Sequence, residues 1–167
     1  MAGAGLKVPF DNQLYFFPAV YYSLKGYKVD FNRFAFPPDE LATNNNTTIH
    51  TIEIAPLLQI DLSKKPSHPF VRFGFTVDFA FSGKERFDIS SGGGTTIERD
   101  MKFSFGDYGR YTGSANLHFG YETQKGLMVF AHTTYGLGSL NNADGGPRIV
   151  HRIYGISLGW KPAFTAK

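Results

Sequence analysis

The sequence predicts an all-β fold, an antiparallel up-and-down β-barrel whose strands cross a membrane. Three observations lead to this prediction. Apolar and polar residues alternate with period two in seven separate stretches, and helical periodicity is nearly absent. The connections between these stretches alternate between short and long. Aromatic residues make up 16% of the 167 residues, which is typical of strands with an aromatic-rich exposed face.

Seven strands are predicted, at about residues 3–10, 13–31, 47–62, 68–82, 103–122, 126–138 and 149–162. Most of them reach the roughly 9–11 residues that a tilted strand needs to cross a bilayer. In each, one register is apolar and the other is polar or small. We expect the apolar registers to face lipid, and the clearest positions are Val71, Phe73, Phe75, Val77, Phe79, Leu117, Phe119, Ile156 and Leu158.

The second strand contains the run YFFPAVYYSLKG, residues 15–26, which begins with aromatic side chains on both faces. Its even positions stay apolar, while its odd positions change from aromatic to small, hydroxylated and charged. A soluble sheet usually covers its apolar face and exposes the polar face to water. The run is better explained if its even face meets lipid and its odd face lines the barrel interior.

Aromatic residues also concentrate towards the predicted strand ends. Tyrosine and tryptophan prefer the level of the lipid headgroups, so these residues predict two aromatic girdles. The predicted girdle residues are Tyr22, Tyr111, Tyr121, Tyr135, Tyr154 and Trp160. The alternative explanation of these positions is that aromatic residues favour strands in general.

The long connections, at 32–46, 82–102 and 138–148, are polar and alternate with short turns. Short periplasmic turns and long extracellular loops are typical of barrels in the bacterial outer membrane. No segment approaches 18 consecutive apolar residues, so no transmembrane helix is predicted. We therefore predict one domain over residues 1–167, located in the outer membrane, with any export signal removed or not included.

The odd strand number is itself informative. Single-chain bacterial barrels usually have an even number of strands. If the last strand ends in the periplasm, the strand at 3–10 begins on the extracellular side, and a preceding upward strand is expected to be missing, whether removed or supplied by a partner. An eighth strand hidden in residues 94–102 is the less favoured alternative, because it would disturb the alternation of loop lengths.

The polar registers predict a narrow interior filled by side chains, because eight strands leave room for little else. Charges inside such a barrel must pair, since a lone buried ion is costly. We expect a structural polar network that includes Lys25, Glu53, Arg72, Asp78, His118 and Glu122, with Arg72 and Lys25 facing Glu53 and Asp78. A proton or ion path through this network is the functional alternative.

The sequence gives little evidence for catalysis, metal binding or nucleic-acid binding. The chain has no cysteine, and its five histidines lack a compact ligand spacing, although His118 and His132 lie on adjacent strands. No Gly-x-Ser-x-Gly motif occurs, and the Gly-rich segment 90–96 does not open a helix. The net charge of +3 is not gathered into a basic run. We expect no enzyme activity, no cofactor or metal, and no nucleic-acid binding.

The sequence also resembles a known family. YFFPAVYYSLKGYK resembles the aromatic-x-Pro-x-x-x-Tyr-Ser-x-Lys-Gly strand of the PorT-like outer-membrane β-barrel family of Gram-negative bacteria. IEIAPLLQIDL with PFVRFGFTVDFAFSGK is similar to that family's next hairpin, and YGLGSLNN with HRIYGISLGW to its closing hairpin. The resemblance, from about residue 3 to 164, implies an eight-stranded barrel with a further Gly-rich strand before residue 3. It implies no catalytic residues, and some relatives serve secretion and gliding machinery.

Two functions from different classes remain. The first is a small outer-membrane barrel with a structural, accessory or binding role, a candidate subunit of a secretion- or transport-related assembly. It would contact membrane lipid or lipopolysaccharide, and another outer-membrane protein through its loops or a lipid-facing seam. The second is a soluble barrel of the lipocalin or streptavidin type, which would turn its apolar register inward around a small apolar ligand. The direction of the apolar register separates the two.

Overall fold

The computed structural model describes residues 1–31, 36–89, 94–143 and 147–161. Within these ranges the regular structure consists of strands, and no helix that could span a membrane is found there. The ten strands are β1 (Ala2–Gly5), β2 (Val8–Asp11), β3 (Leu14–Lys25), β4 (Lys28–Asp30), β5 (Asn44–Asp61), β6 (His68–Ile89), β7 (Thr95–Asp100), β8 (Tyr111–Glu122), β9 (Leu127–Gly136) and β10 (Arg152–Trp160).

All ten strands belong to one antiparallel sheet, which curls into a half-barrel. The main path runs β1–β3–β5–β6–β8–β9–β10. The short strands continue neighbouring ones: β1 and β2 both pair with β3, β3 and β4 with β5, and β7 and β8 with β6. The described sheet therefore has seven strand positions, and the predicted antiparallel all-β fold is confirmed.

The predicted long connection over 82–102 contains regular strand among its described residues. β6 continues to Ile89, and β7 pairs with its extension, Lys84 to Ile89. A strand does lie where the less favoured interpretation placed one, yet it does not disturb the order of the sheet. It lies in line with β8 on the same side of β6, so it lengthens one strand position instead of adding another.

The predicted strand at 103–122 also begins too early. Residues 103–110 do not belong to the strand, and β8 starts at Tyr111. The segment contains two glycines and an aspartate, and the hydroxyl of Ser104 donates to Asp107 Oδ2 at 2.6 Å. Such local hydrogen bonds to a side chain compete with strand pairing and favour turns.

The two faces of the sheet differ as a membrane barrel requires. On β6, Arg72 and Asp78 point to the concave face and are 1% and 3% exposed, whereas Phe75 between them is 64% exposed on the outer face. The predicted lipid-facing residues all lie on the outer face, with Val71 and Phe79 half-buried there by their neighbours. A soluble barrel of the lipocalin or streptavidin type needs its apolar register on the concave face, so the observed orientation contradicts that alternative.

The sheet has two open edges. No described strand pairs with the outer side of β1 and β2 or with that of β10. Since every step of the path is antiparallel, β1 and β10 run in the same direction. A single additional strand, antiparallel to both, is the simplest way to close the sheet into a barrel of eight positions.

Candidate functional site: the polar interior

The concave face carries polar residues in layers. The end of the sheet with the short connections, 62–67 and 123–126, is called the turn end here, and the opposite end the loop end. Two clusters of charged side chains lie on this face. The loop-side cluster is Ser23, Lys25, Glu53, Asp78 and Ser114; the turn-end cluster is Lys7, Asp61, His68, Glu122 and Lys161.

The loop-side cluster holds one lysine between two carboxylates. Lys25 Nζ lies 2.8 Å from Glu53 Oε1 and 3.0 Å from Asp78 Oδ2. The hydroxyl of Ser23 donates to Glu53, and that of Ser114 donates to Asp78 Oδ2 at 3.0 Å. Glu53 and Asp78 are opposite each other across β5 and β6, so strand register brings these two carboxylates together. Lys25 is opposite Ile49, four residues from Glu53, and reaches them with its long side chain.

Arg72 does not belong to this cluster, and its expected pairing with Glu53 and Asp78 is wrong. Its Nε and Nη2 donate to Gln59 Oε1 at 3.0 and 2.6 Å, and its guanidinium lies 3.5 Å from the centre of the Phe17 ring. The reason is distance along the strand. Arg72 and Asp78 are six residues apart on β6, or about 20 Å at 3.3 Å per residue, whereas Gln59 is directly opposite Arg72.

Aromatic rings surround Arg72 and separate the two charged clusters. Phe17, Phe70 and Phe130 are all less than 9% exposed, and the His118 ring stacks on Phe130 with 5.2 Å between the ring centres. Gly120 makes room for this aromatic layer, because a Cβ there would lie 2.4 Å from Phe130 Cβ and 2.8 Å from Phe70 Cζ.

The turn-end cluster brings together residues from four distant segments. Lys7, between β1 and β2, lies 2.7 Å from Asp61 Oδ2 and 3.0 Å from Glu122 Oε2. Lys161, just after β10, contacts Glu122 Oε1. His68 Nε2 lies 3.1 Å from Asp61 Oδ2. The polar register of its strand predicts Glu122 in the interior. His68 is not among the predicted interior residues, although it shares the inward register of Phe70 and Arg72 on β6.

A third polar group, which the sequence does not predict, lies at the loop end. The hydroxyl of Tyr108 donates to Glu85 Oε2 at 2.7 Å, and Arg99 Nε lies 2.8 Å from Glu85 Oε1. Burial raises the pKa of Tyr27 to about 12 and also raises the pKa of Tyr108. Both phenols therefore stay neutral at physiological pH and can act as hydrogen-bond donors here. Tyr108 sits in the irregular segment 101–110, where no strand register points to it.

The predicted girdle residues project from the outer face at the two ends. Tyr154 and Trp160 are 78% and 70% exposed on β10. The residues towards the loop end are Tyr22, Tyr111, Tyr135 and Tyr154, and those at the turn end are Tyr121 and Trp160. The sequence also suggests a contact patch of the loop residues Phe34, Phe36, Pro37 and Pro38, of which Phe34 lies outside the described residues.

The interior offers little for nucleophilic catalysis among the residues described. Ser157 Oγ lies 3.2 Å from His132 Nδ1 across β9 and β10. No described carboxylate is hydrogen-bonded to His132, so the third member of a triad is lacking in this part of the chain. The other buried serines, Ser23 and Ser114, donate to carboxylates instead.

The comparisons with known proteins agree with this architecture. No curated protein and no solved structure matches the chain. Residues 1–142 match the family model described as outer membrane protein beta-barrel domain, which covers β1 to β9. The chain thus belongs to the outer membrane protein beta-barrel domain family and is a small β-barrel protein of the bacterial outer membrane.

Proposed function

We propose that this barrel acts without catalysis, as an accessory subunit of an outer-membrane assembly, and that it meets a second polypeptide at the seam where β1, β2 and β10 lack a described neighbour. The observation that carries the proposal is the pair of free edges, β1 with β2 on one side and β10 on the other. Both edges border an outer face on which side chains such as Ile156 are 80% exposed and apolar.

The physical reason is the cost of unpaired backbone in lipid. Each N–H or C=O group without a partner costs several kcal/mol in the hydrocarbon region, so spanning sheets are closed. β10 alone has nine residues. An inserted strand would pair with both edges at once, and such strand addition is a common mode of protein recognition.

The interior supports an accessory role better than transport. Arg72, Gln59 and Glu122 are each at most 1% exposed, and they fill the lumen with paired charges and hydrogen bonds. The outer face would contact membrane lipid or lipopolysaccharide. The PorT-like resemblance of the sequence points to secretion-related machinery as the kind of assembly, and nucleic acid is not an expected partner.

Photo-cross-linking in native outer membranes tests the proposal. A benzoylphenylalanine replaces Ile156 on the β10 edge in one variant, and Phe119 in the middle of the sheet in the control variant. Both side chains are apolar and exposed on the outer face, but only Ile156 has no neighbouring strand on one side. We expect a discrete adduct with a second polypeptide from the Ile156 variant alone.

A different cross-linking pattern would contradict the proposal. If Ile156 cross-links only within its own polypeptide, the barrel closes by itself and its edges are not the assembly surface. Equal yields of protein adducts from both variants would indicate unspecific proximity in the membrane. Mass spectrometry of the adduct distinguishes these cases.

A further inference from the structure

His68 in the turn-end cluster has an unusual hydrogen-bonding state. Its Nδ1 lies 2.9 Å from the backbone oxygen of Lys65, which can only accept, so Nδ1 carries the ring proton. In the neutral ring Nε2 is then a bare lone pair. The side chain is nine-tenths buried, and Nε2 has no hydrogen-bond partner. This lone pair is directed at carboxylate oxygens, which are acceptors as well.

The two carboxylates present one oxygen each to the same point. Asp61 Oδ1 accepts a hydrogen bond from Gln59 Nε2 at 2.8 Å, and Gln59 is itself held by Arg72. Glu122 Oε1 is bound by Lys161. The other two oxygens, Asp61 Oδ2 and Glu122 Oε2, accept from Lys7 and lie 3.1 and 3.7 Å from His68 Nε2.

These spacings suit a metal ion. The three atoms all lie within 4.8 Å of one another. A tetrahedral zinc ion with bonds of roughly 2.1 Å to nitrogen and oxygen holds its ligand atoms about 3.4 Å apart. A metal-bound histidine also donates its other ring N–H to a carbonyl or carboxylate in most sites, and ligating carboxylates are themselves hydrogen-bonded. His68, Asp61 and Glu122 have all of these outer partners.

We propose that Asp61, His68 and Glu122 form a divalent transition-metal site, selective for zinc over magnesium, for which Lys7 is an internal competitor. Lys7 Nζ contacts the same two oxygens that would bind the ion. The imidazole nitrogen disfavours magnesium, which prefers oxygen ligands and retains its waters. The fourth coordination position would be open to water at the turn end, where the Lys161 side chain is 47% exposed.

Calorimetric titration of the folded protein with zinc in detergent micelles tests this site. We expect one zinc ion per chain and no binding of magnesium. His68→Gln should weaken zinc binding at least as much as loss of an outer partner does, about 10–100-fold. Lys7→Met should strengthen it several-fold, because the competing ammonium is gone. His50→Gln is the matched control, since His50 lies outside the cluster against Tyr22.

The Lys7 variant keeps the test decisive if His68→Gln does not fold, which cold and boiled gel migration would reveal. Absence of zinc binding by both the unaltered protein and Lys7→Met would overturn the proposal. Equal weakening by His68→Gln and His50→Gln would do the same, because it would indicate adventitious surface binding. The outcome is independent of the proposed assembly role.

Discussion

The loop-side and turn-end clusters contain the same elements, two carboxylates and lysine, but they are completed differently. In the loop-side cluster, hydroxyl donors from Ser23 and Ser114 satisfy the carboxylates, and only Asp78 Oδ1 lacks a partner. In the turn-end cluster, His68 Nε2 faces the carboxylates without a hydrogen-bond partner. The first arrangement leaves a single carboxylate oxygen without a partner, whereas the second leaves an imidazole nitrogen facing two carboxylate oxygens that Lys7 holds.

The origin of the lysines differs as well. Lys25 is the last residue of β3, is opposite Ile49 of β5, and contacts two buried carboxylates. Lys7 and Lys161 lie at the two edges of the open sheet, outside regular strands. The backbone of a lysine within a ladder has fewer alternative positions than that of a lysine outside regular strands. The comparison indicates that the loop-side cluster stabilises the fold and that the turn-end cluster is exchangeable.

Lys25→Met is expected to have the largest effect, because it leaves Glu53 and Asp78 buried without a cation. Breaking a buried ion pair by removing one partner costs about 3–5 kcal/mol. Denaturant unfolding followed by fluorescence of Trp160, the single tryptophan, measures the loss. Lys125→Met, in the exposed β8–β9 turn, is the control. A loss below that of an exposed lysine would mean that the cluster does not stabilise the fold.

Gly120→Ala tests whether the aromatic layer keeps the two clusters apart. The new Cβ would lie 2.5 Å from Val129 O as well as against Phe130, and such overpacking costs about 1–3 kcal/mol. Gly113→Ala on the same strand is the control, because its nearest neighbour would be 3.9 Å away. Equal unfolding midpoints of the two variants would contradict the close packing at Gly120.

Ser114→Ala sharpens the comparison by removing one hydroxyl donor from Asp78. Because Asp78 keeps Lys25, we expect a moderate loss of about 1–3 kcal/mol for the weakened satisfaction of a buried acceptor. The same unfolding assay reports it. Ser104→Ala, which removes an exposed serine from the irregular segment, should change the unfolding midpoint less. The reverse order would place the stabilising hydroxyl outside the cluster.

Lys161→Met should have the smallest effect on stability, at most about 1 kcal/mol, because a half-exposed ion pair is screened by water. If Lys161→Met lowers the free energy of unfolding as much as Lys25→Met does, the turn-end lysines are held as firmly as Lys25. The distinction between an exchangeable and a structural cluster would then be lost. Unfolding at low and high salt provides the measurement, since only the exposed pair should respond strongly to salt.

Residues on regular strands were the most predictable. Alternation placed Lys25, Glu53 and Asp78 on the interior and Phe75 and Ile156 on the outer face, because side chains in a strand alternate with period two. The partner of Arg72 was not predictable in the same way. It depends on the register between β5 and β6, and register depends on turns and bulges that a single strand does not contain.

The segments outside long strands were the least predictable. β7 was hidden in a connection of mixed polarity, because only its pairing with the β6 extension makes it a strand. Tyr108 reaches Glu85 from an irregular segment that has no periodicity. His68 opens its strand directly after a turn, and the next inward residue is the apolar Phe70, so the inward register does not read as polar there.

The sequence by itself determined the fold class, the membrane environment and which face of each strand is polar, since these follow from local periodicity and from the alternation of short and long connections. Only the tertiary structure decided which inward residues meet, which edges stay open, and where the two carboxylates and His68 converge. Those properties depend on the register between strands distant in sequence, and hydrogen bonds and packing across the whole sheet set that register.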